Sequence, residues 1–233
     1  MSKNVIIACD FPGEDEVFGF LSKFGSRRPF VKIGMELFYA CGPDIVRRLK
    51  ANGNKIFLDV KVHDIPNTIK RTMSVLSQLD TDIVNLHAAG GSAMMCAALD
   101  GLTRPDGTRP MLIAVTQLTS TDGDTLRDEL LIDRPMDEVV MSYARNAAAC
   151  GLDGVVCSPH EAAAVHGECG ADFLTVTPGV RFEDDDRGDQ KRVMTPEKAR
   201  LAGSDYIVVG RSITQAADPV AAYERCVNEF IGR

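Results

Sequence analysis

Three charged residues lie close together in the sequence, Asp59, Lys61 and Asp64, and they are the strongest candidates for chemistry. Because successive side chains of a β-strand point to opposite faces, Asp59 and Lys61 are predicted to share one face, with Leu58 and Val60 on the other. Charges on the inward face of a strand carry a large desolvation cost unless they are paired or functional. We therefore interpret Asp59 and Lys61 as part of an active site.

The charge of Lys61 decides which chemistry this site could perform. Two nearby carboxylates favour the ammonium form of the lysine, whereas a lysine that forms an imine must lose its proton. A permanently charged Lys61 suits a proton donor, and it also stabilises negative charge that develops on an adjacent atom. Asp64 has a simpler interpretation, because it precedes Ile65-Pro66 and by local rules alone would cap the following helix.

These side chains need a scaffold, and the chain alternates short apolar runs with segments of helical periodicity. The predicted strands are Val5–Cys9, Pro29–Ile33, the segment that begins at Phe57, Ile83–Leu86, Met111–Val115, Gly154–Cys157, Phe173–Thr177 and Tyr206–Val209. Eight such βα units predict an α/β fold, a (β/α)8 TIM barrel that forms one domain over residues 1–233. An open, doubly wound sheet has the same alternation.

The positions of the polar residues favour the barrel. Barrel enzymes build their sites at the carboxyl ends of the strands. The residues at or just past those predicted ends are Asp10, Lys32, Asp59, Lys61, Thr119, Arg181 and Arg211. We therefore expect them to meet around one mouth. His87 could reach the same mouth, but a lone histidine there is more often a packed residue, and we give it no role.

The last two units add a second motif, the turn Gly210-Arg211-Ser212 after the final predicted strand. Many barrels bind phosphate at this position with loop amides and a short helix, and the planar fork of Arg211 matches phosphate oxygens. The acidic segment from Arg181 to Arg192 is most simply a solvated surface loop. Its position beside this site also predicts a mobile lid, with Arg181 and Gln190 facing the phosphate.

Composition restricts the partners and the compartment. A net charge of −7 and the absence of a Lys/Arg cluster argue against nucleic acid and anionic membrane surfaces, which need a basic face. No apolar run is long enough to span a bilayer and no secretory signal precedes the first predicted strand, so we expect a cytoplasmic protein. The seven scattered cysteines predict free thiols, and neither they nor the four histidines have the spacing of a metal site.

Four segments together resemble the orotidine 5′-phosphate decarboxylase family. They are Asp59-x-Lys61-x-x-Asp64-Ile65-Pro66-Asn67-Thr68, Thr177-Pro178-Gly179-Val180-Arg181, Gly188-Asp189-Gln190-x-Arg192-Val193-Met194-Thr195-Pro196 and Val209-Gly210-Arg211-Ser212-Ile213. The match runs in order over nearly the whole chain, beginning with Asp10 and Lys32. The resemblance implies a homodimeric barrel that converts orotidine 5′-monophosphate to UMP, the last step of pyrimidine nucleotide synthesis. It also implies that no metal or cofactor is needed and that the sites lie at the subunit interface.

The resemblance further implies a role for each residue. Lys61 would protonate C6 as CO2 leaves, Asp59 would lie beside the substrate carboxylate, and Asp64 would come from the neighbouring subunit. Asp10 and Lys32 would hold the ribose hydroxyls, and Lys32 would also pair with Asp59. The other implied substrate contacts are Thr119 at the pyrimidine, Ile65, Thr68 and Pro178 around the ligand, and Arg181, Gln190, Gly210 and Arg211 at the phosphate.

Two other functions remain open. Sugar-phosphate decarboxylases and aldolases of the same superfamily share the Asp-x-Lys-x-x-Asp core but need magnesium, whereas the segments 65–68 and 188–190 side with the nucleotide enzyme. A barrel that only binds a nucleotide is disfavoured because the complete set of charges is present. Insensitivity to EDTA would separate the first alternative, and tight UMP binding without turnover would indicate the second.

Overall fold

Eight parallel strands form a closed barrel in the order in which they occur in the chain. The computed structural model describes residues 3–183 and 194–232. Its strands are β1 (Asn4–Ala8), β2 (Phe30–Gly34), β3 (Ile56–Val62), β4 (Ile83–His87), β5 (Met111–Val115), β6 (Gly154–Val156), β7 (Leu174–Thr177) and β8 (Tyr206–Val209). The sheet closes where β8 pairs in parallel with β1, with Ile207 opposite Val5. This closure confirms the predicted (β/α)8 barrel and excludes the open, doubly wound sheet.

Helices connect the strands and cover the outside of the barrel. They are α1 (Glu14–Ser22), α2 (Met35–Cys41), α3 (Asp44–Ala51), α4 (Pro66–Leu76), α5 (Gly91–Leu102), α6 (Met136–Ala149), α7 (Ala162–Cys169), α8 (Pro196–Leu201), α9 (Arg211–Thr214) and α10 (Pro219–Ile231). Short 3₁₀ turns occupy Ser77–Leu79, Ala88–Gly90 and Pro159–Glu161, and a π-helical turn spans Thr125–Glu129. Among the described residues, no helix has both the length and the apolar character needed to cross a bilayer.

Side-chain caps fix where several connections turn back toward the barrel. Ahead of α7, Ser158 and Glu161 form a reciprocal capping box in which the Ser158 N–H donates to Glu161 Oε2 at 2.7 Å. Thr195 and Asp218 accept backbone N–H groups from the first turns of α8 and α10. Each such cap is worth about 1 kcal/mol. The helices therefore begin at defined residues, and the strand ends between them are held in place.

Apolar side chains fill the inside of the barrel as well as the space between strands and helices. The inner layer consists of Ile6, Ala8, Phe30, Phe57, Ile83, Ile113, Leu174, Val176 and Val208. Burying an apolar side chain of this size is worth roughly 1.5–3 kcal/mol. The barrel is therefore a packed core rather than a pore, and its inner layer forms an apolar floor below the carboxyl ends of the strands.

Candidate active site

Three neighbouring strands place a polar side chain directly above the apolar floor. The floor residues on β2, β3 and β4 are Phe30, Phe57 and Ile83. Because side chains alternate between the two faces of a strand, the next inward residue on each strand lies two positions further along the chain. These inward residues are Lys32, Asp59 and Asn85, of which 9%, 7% and 0% of the surface is exposed. The barrel thus carries polar groups at a depth where each of them needs a partner.

An alternating series of charges joins four residues at the mouth of the barrel. Lys32 Nζ lies 2.9 Å from Asp10 Oδ1 and 3.4 Å from Asp59 Oδ2. Lys61 Nζ lies 2.6 Å from Asp59 Oδ1. We call these four residues the charge series. Two lysines share two carboxylates, so the series is neutral overall, and the structure brings its members together as the sequence predicts.

The partners keep the two buried members of the charge series ionised. Burial alone would lower the pKa of Lys32, but the carboxylates of Asp59 and Asp10 outweigh burial and raise it above the ordinary lysine value. Burial alone would raise the pKa of Asp59, but Lys32, Lys61 and a hydrogen bond from Asn85 hold it below the ordinary aspartate value. Lys32 and Asp59 are therefore both charged at neutral pH.

The carboxyl end of β3 departs from regular strand geometry. β3 and β4 pair regularly up to Leu58 and again at Val62, and between these points three residues of β3 lie opposite Asn85 alone. Lys61, in this bulge, has a φ of 47°, a left-handed conformation that costs a residue other than glycine about 1–3 kcal/mol. Its N–H donates to Asn85 Oδ1 at 2.8 Å. Leu58 and Val60 pack in the core outside the barrel while Lys61 contacts Asp59, so the predicted sharing of one face by Asp59 and Lys61 is confirmed, although the backbone ladder between them is irregular.

Two adjoining cavities open above the charge series. The predicted site residues on the first, of about 190 Å³, are Lys32, Asp59, Lys61, Thr119 and Pro178. Those on the second, of about 210 Å³, are Asp10, Lys32, Pro178, Arg181, Gly210 and Arg211. Lys32, Pro178 and Val208 line both cavities, which therefore form one cleft. The cleft has an ammonium and a carboxylate at one end and two guanidinium groups at the other, which fits an anionic ligand extended between them.

The base of the acidic segment after β7 is held beside the second cavity. The Arg181 N–H donates to the Met194 carbonyl at 3.1 Å, and the Met194 N–H donates to the Gly179 carbonyl at 3.2 Å. Residues 184–193, which make up most of the predicted lid and include Gln190, lie outside the described residues. The two ends of the segment are thus joined next to the guanidinium end of the cleft.

Three predicted substrate contacts do not line the cleft of their own chain. Asp64, Ile65 and Thr68 are exposed between the end of β3 and the first turn of α4, and they line neither cavity. Asp64 Oδ1 accepts the N–H of the adjacent Ile65 at 2.7 Å, and α4 begins at Pro66 without a side-chain cap. The interpretation of Asp64 as a helix cap is therefore wrong.

Sequence reasoning missed two polar residues near the charge series. Asn85 Nδ2 donates to Asp59 Oδ1 at 2.6 Å, and Gln117 lines the first cavity just after β5. Each of these two residues has a feature in the sequence that could have identified it. Asn85 is an amide within the apolar run Ile83–Leu86, and Gln117 follows a strand at the end where barrel enzymes form their sites.

His63 and His87 lie side by side near the rim, with ring centroids 5.8 Å apart. Burial, together with the neighbouring His63 and Lys61, lowers the pKa of His87, so its ring is neutral at neutral pH. Neither ring lines the two cavities of the cleft. This placement agrees with giving His87 no role.

Comparisons with known proteins extend over nearly the whole chain. A family model described as orotidine 5′-phosphate decarboxylase / HUMPS family matches residues 3–226. A protein from Geobacillus thermodenitrificans named orotidine 5′-phosphate decarboxylase is 54% identical over 230 residues, which cover 97% of this chain and 96% of that protein. A protein of the same name from Bacillus caldolyticus is 56% identical over 230 residues, which cover 97% of this chain and 94% of that protein. A crystal structure of orotidine 5′-phosphate decarboxylase from Lactobacillus acidophilus is 45% identical, with a TM-score of 0.88 over 98% of this chain and 99% of that chain. The resemblance inferred from four sequence segments is therefore confirmed.

Proposed function

This chain belongs to the orotidine 5′-phosphate decarboxylase / HUMPS family, and on that premise we propose that it removes CO2 from orotidine 5′-monophosphate to give UMP. This makes it a carboxy-lyase of pyrimidine nucleotide synthesis, in keeping with the names of relatives that are 54% and 56% identical. One observation carries the proposal. The ammonium of Lys61 lies 2.6 Å from the Asp59 carboxylate at one end of a cleft whose other end carries Arg181 and Arg211.

Lys61 donates the proton that replaces the substrate carboxyl group. When the bond between C6 and the carboxyl carbon breaks, its electron pair stays on C6 and CO2 leaves. The ammonium group then gives a proton to C6, and solvent restores the proton on Lys61. Asp59 already holds the ammonium in place, so little reorganisation of the site is needed as negative charge develops on C6. The fixed positive charge of Lys61 is the main source of electrostatic stabilisation of the transition state.

Asp59 acts on the substrate and on Lys61. With its pKa held below the ordinary value it is an anion, so it repels the substrate carboxylate in the ground state, and departure of CO2 relieves this repulsion. It also orients Lys61. Loss of CO2 to leave a vinylic carbanion is very slow without catalysis, so the required reduction of the barrier lies toward the top of the range of roughly 8–23 kcal/mol found for enzymes. Phosphate binding, remote from C6, supplies part of it.

The rest of the nucleotide extends along the cleft in the proposed complex. Asp10 and Lys32, 2.9 Å apart, hold the ribose hydroxyls where the two cavities meet. Thr119 and Pro178 contact the pyrimidine in the first cavity. The single phosphate of the ligand is held at the second cavity by Arg181, Gly210 and Arg211. Gln190, which lies outside the described residues, is assigned to the phosphate by the family resemblance alone. Arginine suits this end of the ligand because its planar donors match phosphate oxygens in pairs.

A second copy of the chain completes each site in this proposal. Asp64, Ile65 and Thr68 are exposed and do not line their own cleft, which supports their assignment to the cleft of the partner subunit. The protein is then a homodimer with sites at the interface. Its net charge of −7 argues against polyanionic partners, and we propose the cytoplasm as its compartment.

The deciding experiment is an absorbance assay for loss of orotidine 5′-monophosphate by the purified protein, with and without EDTA. We expect turnover to UMP at the same rate in both conditions, because no step needs a metal. Turnover of a sugar phosphate that EDTA abolishes would favour the magnesium-dependent members of the superfamily. Tight UMP binding without loss of substrate would leave a binding function alone.

Arg211→Ala tests the phosphate end of the cleft. A hydrogen bond to a charged group contributes about 1.5–3 kcal/mol, so the Kd for UMP should rise about 10- to 100-fold while binding of uridine is unchanged. The control is Arg145→Ala, which removes an exposed pair with Glu168 between α6 and α7 and should alter neither affinity. Equal losses for UMP and uridine in Arg211→Ala would remove Arg211 from the phosphate site.

A further inference from the structure

Asn85 connects the two residues to which we assign the chemistry. Its side chain is fully buried on β4. Nδ2 donates to Asp59 Oδ1 at 2.6 Å, and Oδ1 accepts the Lys61 N–H at 2.8 Å. One planar amide thus contacts the carboxylate of one residue and the backbone of the other. We infer that Asn85 is a positioning residue for the decarboxylation, an inference that rests on the proposed function.

The bulge in β3 explains why such a residue is needed. In the regular part of β3 the backbone of odd-numbered residues faces β2, as Lys55 does when its carbonyl accepts the Val31 N–H. Three residues of β3 lie opposite one residue of β4 in the bulge, and the Lys61 N–H there points to β4 instead. The Asn85 side chain supplies its acceptor. Lys61 has a φ of 47°, and a strained conformation persists only where its surroundings over-determine it. Bulges next to active sites re-aim side chains, and this one aims Lys61 at Asp59.

The chemistry of the contacts explains why the residue is an asparagine. The position must donate to a carboxylate and accept from a backbone N–H, and the amide does so without charge through two separate atoms, Nδ2 and Oδ1, whereas a hydroxyl offers one atom. An aspartate there would place a second carboxylate against Asp59 and would upset the balance of two lysines and two carboxylates in the charge series. A leucine would fill the volume but leave a buried N–H and a carboxylate oxygen short of partners.

Loss of Asn85 should therefore affect the reaction more than binding. Without the amide, the Lys61 backbone can relax from its left-handed conformation, and the ammonium then moves relative to C6. A misplacement of about 1 Å in a reacting group costs about 100-fold in rate. Arg181 and Arg211 follow β7 and β8, whereas Asn85 lies on β4, on the other side of the closed barrel. Binding of the phosphate should therefore be retained.

Asn85→Ala and Asn85→Asp test this inference by steady-state kinetics and by UMP binding. We expect kcat to fall about 100-fold in both variants, while KM and the Kd for UMP change less than about 5-fold. Asn85→Asp keeps the shape and the acceptor for the Lys61 N–H, so it provides a folded variant if Asn85→Ala does not fold. A kcat within about threefold of wild type in either folded variant would overturn the inference.

Asn54→Ala is the matched control. Asn54 is also buried, at 2% exposure, and its Nδ2 donates to the Pro29 carbonyl at 2.9 Å. It lies just before β3, at the opposite end of the barrel from the cleft. We expect its variant to keep the wild-type kcat within about twofold even if it is less stable. A loss of kcat equal to that of Asn85→Ala would assign the effect to general destabilisation and overturn the inference.

A crystal structure of the folded Asn85 variant separates this inference from the proposed function. We expect Lys61 to leave its left-handed conformation and the contact of 2.6 Å between Lys61 Nζ and Asp59 Oδ1 to lengthen. If the wild-type protein does not turn over orotidine 5′-monophosphate, the proposed function fails, but this structure still decides whether Asn85 holds Lys61. An unchanged Lys61 conformation in the variant overturns the inference in either case.

Discussion

Asp59 accepts contacts from three donors at once. Its Oδ1 accepts from Lys61 Nζ and from Asn85 Nδ2, each at 2.6 Å, and its Oδ2 lies 3.4 Å from Lys32 Nζ. Charge-assisted hydrogen bonds of this kind are roughly twice as strong as neutral ones. Asp59 therefore stays ionised in acid that would already protonate an exposed aspartate.

The pH dependence of stability follows from these contacts. The pKa of Asp59 is lowered, so its contribution is complete above the unfolded value of about 3.9 and is lost as the pH falls through the lower folded value. The pKa of Lys32 is raised, so its contribution is complete below the unfolded value of about 10.4 and is lost as the pH rises through the higher folded value. Together they should contribute a constant free energy of unfolding between about pH 5 and 9.

Asp59→Asn makes this pH dependence measurable by denaturant unfolding. At neutral pH the variant should be less stable than wild type by about 1–3 kcal/mol, the usual cost of leaving buried polar groups without a partner. The difference should shrink below about pH 4, because the aspartate of the unfolded chain takes up a proton there while folded Asp59 stays ionised to lower pH. A difference that stays constant down to about pH 3 would contradict the lowered pKa of Asp59.

Lys61→Ala separates chemistry from binding. We expect decarboxylation to become undetectable while the Kd for UMP stays within about tenfold of wild type, because the phosphate contacts remain. Lys50→Ala is the control, since Lys50 also contacts an aspartate, Asp82 at 3.0 Å, but at the opposite end of the barrel. It should keep full activity. Loss of UMP binding in parallel with activity in Lys61→Ala would indicate a structural lysine.

Residue types and spacing predicted that Asp59 and Lys61 meet, but they could not predict how. The left-handed backbone of Lys61 and the bridging amide of Asn85 depend on the register between β3 and β4. That register brings together Asp59 and Asn85, which are 26 positions apart in the sequence. Local periodicity carries no information about such a pairing, so neither the bulge nor the bridging amide could be predicted from the sequence.

At the scale of elements, a strand or helix could be predicted from the sequence where it buries a regular row of apolar residues. The strands are short apolar runs, and their predicted positions agree with the barrel to within one or two residues. Helix α2 was missed because Leu37 is its one buried residue, so it has no apolar stripe at helical spacing.

The position of the ion pair between Lys32 and Asp10 at the end of β2 can be tested by adding one methyl group to Gly34. A Cβ added to Gly34 would lie 3.0 Å from Lys32 Nζ and 3.1 Å from Asp10 Oδ1. Its φ of −84° is open to alanine, so Gly34→Ala should fold and shift this ion pair by a few tenths of an ångström. We expect kcat/KM for orotidine 5′-monophosphate to fall about tenfold.

Gly19→Ala in α1 is the control for that substitution. A Cβ on Gly19 would meet no atom within 4 Å, and alanine favours a helix over glycine by about 1 kcal/mol. The control should therefore be as active as wild type and slightly more stable. Equal activity of the Gly34 and Gly19 variants would show that the ion pair between Lys32 and Asp10 tolerates displacement.

At the scale of the whole molecule, carboxylates brace the end of the barrel opposite the cleft. Three aspartates that precede even-numbered strands each accept a backbone N–H from the strand before. The pairs are Asp82 with Ile56 at 2.8 Å, Asp153 with Leu112 at 2.7 Å and Asp205 with Thr175 at 2.8 Å. Each carboxylate also contacts a basic side chain, Lys50, Arg109 or His166. We call these three arrangements the aspartate clamps, and they stabilise the barrel without touching the cleft.

Mixing inactive subunits tests whether the sites are shared. In a dimer of Lys61→Ala and Asp64→Ala chains, one site would lack both residues and the other would regain both. Random reassociation of equal amounts makes half of the dimers mixed, so we expect about a quarter of wild-type activity. Each variant reassociated with itself is the control and should stay inactive. No recovery, with mixed dimers demonstrated by mass spectrometry, would contradict a shared site.

The aspartate clamps join strands that are neighbours in sequence as well as in space. One clamp links β3 to β4, and the other two link β5 to β6 and β7 to β8, so none of the three crosses from β4 to β5. The connection from α5 to β5 passes through Asp106 and Gly107, both exposed. A chain cut there would give two four-stranded fragments, each with bracing of its own. The junctions between the two halves therefore rest on the backbone pairing of β4 with β5 and of β8 with β1, without an aspartate clamp.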